Sequence, residues 1–203
     1  MTTFFLIRHA SNALFKHTLV GRSPGVALNE LGKQEAAHLA AHLARETIDA
    51  VFSSPLERCL QTAEPLANKL NLKLQPSESL MEVNFGDWTG RKFADLDTLP
   101  EWKQWNVFRS GCRIPNGETM LEVQSRMVGF VQQLRRQFPN GRLALVSHGD
   151  PLRSLIIYFL GLPSEFIRRI DLGPASVSLL CVDEWDAQIR ALNARLGAGL
   201  AAE

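Results

Sequence analysis

Cysteine is scarce and scattered: Cys59, Cys112 and Cys181 are the only three in 203 residues. An odd number at such wide spacing excludes a disulfide framework and offers no zinc-ligand pattern. Free thiols in a reducing, cytoplasmic setting are the expectation, and no histidine stands near enough in sequence to activate one. Long hydrophobic runs are also missing. The longest falls far short of the roughly 20 residues a membrane span needs, and Arg8 and His9 arrive too soon for a signal peptide. A membrane partner is therefore not expected. Nor is there an excess of either charge, since 22 basic residues against 21 acidic ones leave a formal +1. With no basic run and no aromatic RNA-binding signature, nucleic acid is not an expected partner either. Internal repeats, low-complexity blocks and linkers are likewise absent.

What the chain does have is apolar material, 45% of its residues, enough for a sizeable core and one substantial domain over 1–203. Strand-like runs alternate with helix-like ones, which predicts an α/β layer fold with a largely parallel sheet. "TFFLI" (Thr3 to Ile7), "IDAVFSS" (Ile48 to Ser54), "RLALVSH" (Arg142 to His148) and "SVSLLCV" (Ser176 to Val182) read as buried strands. The 3.6-residue period predicts a helix over Leu31 to Ala44, with Glu35, His38 and His42 on its outer face. Ser54, Pro55 and Glu57 resemble a capping box opening a second helix that runs to Leu70. A long amphipathic helix spans Met120 to Phe138, and Asp150-Pro151 reads as the cap of another over Leu152 to Leu160. The Ala-rich stretch after Asp183 reads as helical or frayed.

Residues 83–117 break this rhythm. Three of the four tryptophans (Trp88, Trp102, Trp105) fall there with Phe85, Phe93 and Phe108, and regular periodicity is weak. A segment of this length and composition reads as a functional excursion from the sheet.

Three strand ends carry unusual polar groups. The first strand ends in Arg8-His9, the second runs into "SSPLERCLQTA" with Arg58 in the first helical turn, and "SHGDP" puts His148 before another helix. Open parallel sheets bind ligands beyond the carboxyl ends of their strands. Arg8, His9, Arg58 and His148 can thus meet in one pocket, where two arginines and two helix N-termini favour an anion, most naturally phosphate. At an effective dielectric of about 20, unit charges about 4 Å apart attract by about 4 kcal/mol before desolvation. Neighbouring cations disfavour an imidazolium, so the histidines should be neutral, and a neutral imidazole can attack phosphorus directly. The missing part is an acid for the departing oxygen. Glu82, in "LMEVNFGDWTG", stands at the entrance to the aromatic excursion and is the candidate.

"LIRHA", "SSPLERCLQTA", "EVNFGDWTG" and "SHGDPLR" together resemble the histidine phosphatase superfamily, the phosphoglycerate-mutase-like fold, in order from about Phe4 to Val182. The resemblance implies a three-layer αβα sandwich around a mostly parallel sheet, with the excursion over the active site. It implies His9 as the phosphorylated nucleophile, Arg8, Arg58 and His148 around the phosphoryl group, and Glu82 as proton donor. Asn12, Arg22 and Gly149 join Arg8, Arg58 and His148 as expected phosphate or substrate contacts. No metal or organic cofactor is implied, and the partner is a small phosphorylated substrate. Two positions depart from the family pattern. Ala10 stands where a glycine usually follows the histidine, and Phe15 where an asparagine often reaches the phosphate, a contact that would fall to Asn12.

Blander readings stand beside these. His38 and His42, four apart without a third ligand, are expected on a solvated helix face. Phe85 and Trp88 are expected in the core, while Trp102, Trp105, Phe108 and Arg113 are cavity candidates. Glu118 and Thr119, before the long helix, are expected either as caps or as site residues. The functions in play are a hydrolase of phosphate monoesters, a cofactor-dependent phosphoglycerate mutase, and a non-catalytic phosphate-ligand binder. Aromatic content in the excursion points to an apolar leaving group; Arg91, Lys92, Arg109 and Arg113 point to extra negative charge on the substrate.

Overall fold

Six strands form one sheet in the computed structural model, which describes residues 1–14 and 17–195. In chain order they are β1 (Thr2–Arg8), β2 (Ala50–Ser53), β3 (Leu74–Pro76), β4 (Arg142–Ser147), β5 (Ser176–Val182) and β6 (Ala187–Arg195). Their spatial order is β3-β2-β4-β1-β5-β6, with β1, β2, β3 and β4 mutually parallel and β5 and β6 antiparallel to their neighbours. Strands buried on both faces read as continuous apolar runs, and "FFLI" is one. Phe5 and Ile7 point into one core with Val51, Ala144 and Val146; Phe4 and Leu6 point into the opposite one with Phe52, Leu143 and Leu145.

Helices cover both faces. The first core is closed by α1 (Glu30–Leu43) and α2 (Glu57–Leu70) through Leu39, Leu43, Ala63 and Leu66. The second is closed by α5 (Met120–Gln137) and α6 (Gly149–Phe159) through Val123, Met127, Leu152 and Ile156. Between β3 and α5 the excursion carries two short helices, α3 (Phe93–Leu96) and α4 (Pro100–Val107). The architecture is the expected αβα sandwich, and α5 begins with a true capping box between Thr119 and Glu122.

Three local expectations need correction. Ser54 does not cap α2, which starts at Glu57 with Leu56 at the N-cap. The Ser54 hydroxyl instead accepts from the Leu56 N–H and meets His148 Nε2 at 2.9 Å, so the site has claimed the group that read as a cap. Asp150 does not cap α6 either. The helix turns directly from His148, which puts Asp150 inside the first turn. Finally, the stretch after Asp183 is neither helical nor frayed up to Arg195: β6 pairs along β5 as an edge strand. Its alanines, arginines and Asn193 are weak strand formers, but half-buried and exposed positions alternate along most of it. The rest of that tail, 196–203, lies outside the described residues, as does Phe15.

Register sets the site. Arg8 is level with Ser147 across the β1/β4 pair and Ser53 with Val146 across β2/β4. His9, His148 and Ser54 therefore leave three adjacent strands at nearly one height, on the carboxyl edge where α2 and α6 begin.

Candidate active site

His9 follows β1 directly, and its N–H is tied to the Ser147 carbonyl at 2.9 Å. The imidazole is 5% exposed. Its Nδ1 sits 2.8 Å from the Ala10 carbonyl. A carbonyl only accepts, so Nδ1 carries the proton and Nε2 keeps a lone pair. Burial pushes the His9 pKa well below the ordinary histidine value, and the charges of Arg58 and Arg8 push the same way. The ring is thus neutral, with Nε2 as its unprotonated nitrogen.

The loop after His9 is strapped to α1 and α2. The Ala10 N–H donates to Thr62 Oγ1 (3.0 Å), and the Ser11 N–H and hydroxyl donate to the two Glu35 oxygens at 2.7 and 3.1 Å. Gly32 lets α1 approach: a Cβ there would lie 2.0 Å from the Ser11 carbonyl oxygen. Glu35 was expected on the solvated face of α1. Its carboxylate turns inward to hold this loop, whereas His38 and His42 are exposed as expected.

His148, fully buried, lies behind His9 with ring centroids 5.3 Å apart. Arg58 donates from one terminal nitrogen to the Gly21 carbonyl (2.8 Å) and to His148 Nδ1 (3.0 Å). An acceptor at Nδ1 leaves the His148 proton on Nε2, aimed at Ser54. Burial again holds this imidazole neutral, reinforced by Arg58. Arg8 reaches the Leu172 carbonyl. Burial lowers its pKa, with Arg153 adding to the effect, yet a guanidinium starts so high that its charge is retained. Cys59 also touches this group, with Sγ 3.4 Å from His148 Nε2. Burial pushes its thiol pKa up, which removes it as a nucleophile.

Glu82 completes the cluster. One carboxyl oxygen lies 3.8 Å from His148 Nδ1, and the other accepts the Val83 N–H at 2.9 Å. Burial raises its pKa to about 7, helped by the negative charge of Asp150. The carboxyl is therefore protonated at mildly acidic pH and can serve as an acid there, then as a base once its proton has gone.

These groups open onto a cavity of about 580 Å³. Arg8, His9, Asn12, Arg58, Glu82 and Gly149 line it. His148 is not at the surface of the cavity but backs Arg58. Arg22 also misses it, bonding to the Glu82 carbonyl (2.8 Å) and pairing with Glu118 (2.9 Å). Asn12 has its side-chain carbonyl turned to the Leu14 N–H.

The outer wall is aromatic and charged. Trp102 and Trp105 stack with centroids 5.3 Å apart, and both line the cavity beside Phe85 and Phe93. Arg109 lies over the Trp105 ring at 3.7 Å. It pairs with Asp150 at 2.9 Å; Asp150 in turn holds Arg153 at 3.2 Å. Burial alone would raise the Asp150 pKa, but Arg109 and Arg153 outweigh it and keep the carboxylate low. Phe108 and Arg113, expected here, are elsewhere: Phe108 is exposed and Arg113 pairs with Glu122 on the surface. Arg91 and Lys92 are also exposed outside the cavity. Asp150, Arg153, Arg168 and Asp171 were not anticipated. The three-residue spacing of Asp150 and Arg153 was the available signal for that pair. Among the described residues, no group of three or more His, Cys, Asp or Glu side chains could hold a metal ion. No described helix is long and apolar enough to cross a membrane.

The pattern of the histidine phosphatase superfamily (branch 1) matches residues 4–195. The chain belongs to that superfamily. Phosphoserine phosphatase 1 of Hydrogenobacter thermophilus is 30% identical over 198 residues, covering 95% of this chain and 92% of the relative. A probable phosphoglycerate mutase, GpmB of Yersinia pestis, is 30% identical over 182 residues, covering 88% and 84%. Among solved structures, a phosphoserine phosphatase mutant from Entamoeba histolytica, in complex with phosphoserine, superposes with a TM-score of 0.87. It is 23% identical and covers 96% of this chain and 98% of its own, so it speaks to the fold alone. The α-ribazole phosphatase of Shigella flexneri gives 0.85 at 26% identity, covering 95% and 96%. The superfamily named from four short motifs is thus the one to which the chain belongs, and the relatives are phosphatases and a probable mutase.

Proposed function

We propose that the chain hydrolyses phosphate monoesters of small organic molecules through a phosphohistidine on His9. One observation carries the reading: a buried, neutral His9 with Nε2 unprotonated lines one cavity with Arg8, Arg58 and a carboxyl, Glu82, whose pKa is about 7. Arg8 and Arg58 hold the non-bridging oxygens and offset the charge that builds in transfer. His9 Nε2 forms a bond to phosphorus as the ester P–O bond breaks, and Glu82 gives its proton to the leaving oxygen. Water then loses a proton to the Glu82 carboxylate and attacks the phosphohistidine, which releases inorganic phosphate and restores both residues. His148 keeps Arg58 in place through Nδ1. Asn12 and the Gly149 backbone are the remaining contacts for the phosphoryl group; Arg22 acts at one remove, on Glu82. None of these steps calls on a metal or organic cofactor.

The test is phosphate release from 4-nitrophenyl phosphate and a set of phosphorylated metabolites that includes phosphoserine, 3-phosphoglycerate and α-ribazole phosphate. The wild-type chain should release phosphate, and His9→Ala should lose at least about 10³-fold in kcat. Equal rates in the two proteins would refute the nucleophile. A mutase is the second reading, favoured by the 30% identity to the Yersinia protein. Mutases must keep water from the phosphohistidine so that it returns to product. Only 83–147 separates the acid from the second histidine here, and α3, α4 and α5 already occupy much of that span. Incubation with 3-phosphoglycerate and a bisphosphoglycerate primer decides between them. Isomerisation without phosphate release would establish the mutase.

A further inference from the structure

Glu82 is held by more than its own side-chain contacts. Its backbone carbonyl accepts from Arg22 Nε at 2.8 Å and from an Arg126 terminal nitrogen at 3.2 Å. Both guanidiniums are paired with one carboxylate, that of Glu118, at 2.9 Å for Arg22 and 3.2 Å for Arg126. The same carboxylate accepts the Asn84 N–H at 2.8 Å, two residues beyond Glu82. Arg126 also donates to the Ser79 carbonyl at 2.8 Å, three residues before Glu82. One acidic side chain thus organises a brace that grips the 79–84 segment at three backbone positions. It draws Arg22 from the loop after β1 and Arg126 from the middle of α5, and it stands at the N-terminal end of α5 itself.

A proton donor works only within hydrogen-bond reach of the departing oxygen, and small displacements lose that reach. Glu82 belongs to no helix or strand, so its placement comes from bonds such as these. Two cations in the brace against one carboxylate also leave a balance that depends on Glu118. Without its charge, Arg22 and Arg126 would repel each other and stay bound to the Glu82 carbonyl only at a cost.

We propose that Glu118 is a positioning residue for the proton donor, acting through Arg22 and Arg126 on Glu82. The proposal rests on the phosphatase reading above. It makes a demand that a purely structural role does not. Aid from an acid matters most when the leaving group is a strong base and least when it departs unaided. Loss of Glu118 should therefore harm phenyl phosphate far more than 4-nitrophenyl phosphate, two esters of nearly the same shape.

The experiment measures kcat/KM on both esters for the wild-type chain, Glu118→Gln, Glu118→Asp, Glu82→Gln and the Glu118→Gln/Glu82→Gln double variant. This parameter reports the step in which the ester bond breaks. Glu118→Gln should lose about 10-fold or more on phenyl phosphate and less than about 3-fold on 4-nitrophenyl phosphate, a share of the 10²–10⁴ that an acid supplies. Glu118→Asp, which keeps the charge, should recover part of the loss. In the Glu82→Gln background the change at Glu118 should cost little more, because its target is gone. Equal losses on the two esters, or an undiminished loss in the Glu82→Gln background, overturn the proposal. So does a Glu118→Gln chain that fails to fold while Glu118→Asp folds and shows no preference between the esters. A wild-type chain inactive on both esters would sink the phosphatase reading itself, and the positioning role with it.

Discussion

Two titrations at single residues should shape the activity. His9 is neutral from well below the ordinary histidine pKa upward, so the proposed nucleophile should stay competent through mildly acid pH. Glu82 must be protonated to act as acid, and its pKa is about 7. The signs give a kcat/KM that holds on the acid side of 7 and falls as pH rises through about 7 and Glu82 ionises. The fall should vanish in Glu82→Gln, leaving a lower, flatter profile; a fall retained in that variant would assign it to another group. That Arg8, His9, Arg58 and Glu82 meet at one cavity was legible in sequence. Arg8, His9, Arg58 and Glu82 sit at strand ends or beside aromatic runs, where chemistry stands out from packing. Arg22 and Glu35 were not legible in the same way. Each is a charged residue whose partner lies dozens of positions away, and a sequence shows no reason for Glu35 to turn inward toward Ser11.

At the level of elements, two glycines make opposite demands. Gly86 has φ +46°, and a Cβ there would lie 2.0 Å from the Pro115 carbonyl oxygen. Gly86→Ala should therefore lower stability by at least the about 1–3 kcal/mol of a strained backbone, with the clash added. Gly129 lies on the exposed side of α5, and a methyl group added there would meet nothing within 4 Å. Gly129→Ala should raise stability by about 0.5–1 kcal/mol. Urea denaturation of the two variants measures both, and the same sign for both would contradict the geometry. The long elements were readable because period and capping agreed, as at Thr119 and Glu122 for α5. The starts of α2 and α6 were misplaced for one physical reason. Ser54 and Asp150 look like caps, but their side chains are engaged by His148 and by Arg109 and Arg153. β6 went unseen because an edge strand takes its stability from pairing with β5 rather than from its own composition.

Across the whole molecule, the excursion is joined to α6 by Arg109 and Asp150 at the cavity wall, and to the turn after α6 by Ser110 and Glu165. Arg109→Ala should leave Asp150 paired with Arg153 and strip a cation from the Trp105 face. A stability loss toward the about 3–5 kcal/mol of a broken buried pair is expected, reduced by the partial exposure of Asp150. The pair also has a pH signature. Asp150 is held below its ordinary 3.8, so its stabilisation is complete above that value and is lost as pH falls through the lower folded pKa. Thermal unfolding of the wild-type chain and Arg109→Ala between neutral and strongly acid pH should show the gap closing in acid. A gap independent of pH would remove the ion pair as its cause. The layered fold itself was legible because apolar strands and amphipathic helices alternate. The composition of the cavity wall was less so, since Arg168 and Asp171 reach it only through tertiary folding. Covalent chemistry at His9 is the step on which the proposed reaction depends. Rapid quenching of Glu82→Gln with 4-nitrophenyl phosphate, followed by mass-spectrometric mapping, tests it most directly. That ester needs little help to leave, while water activation is impaired, so one phosphoryl group should accumulate on His9 and be absent from His9→Ala. A phosphoryl group on another residue, or phosphate release that persists unchanged in His9→Ala, would contradict the account.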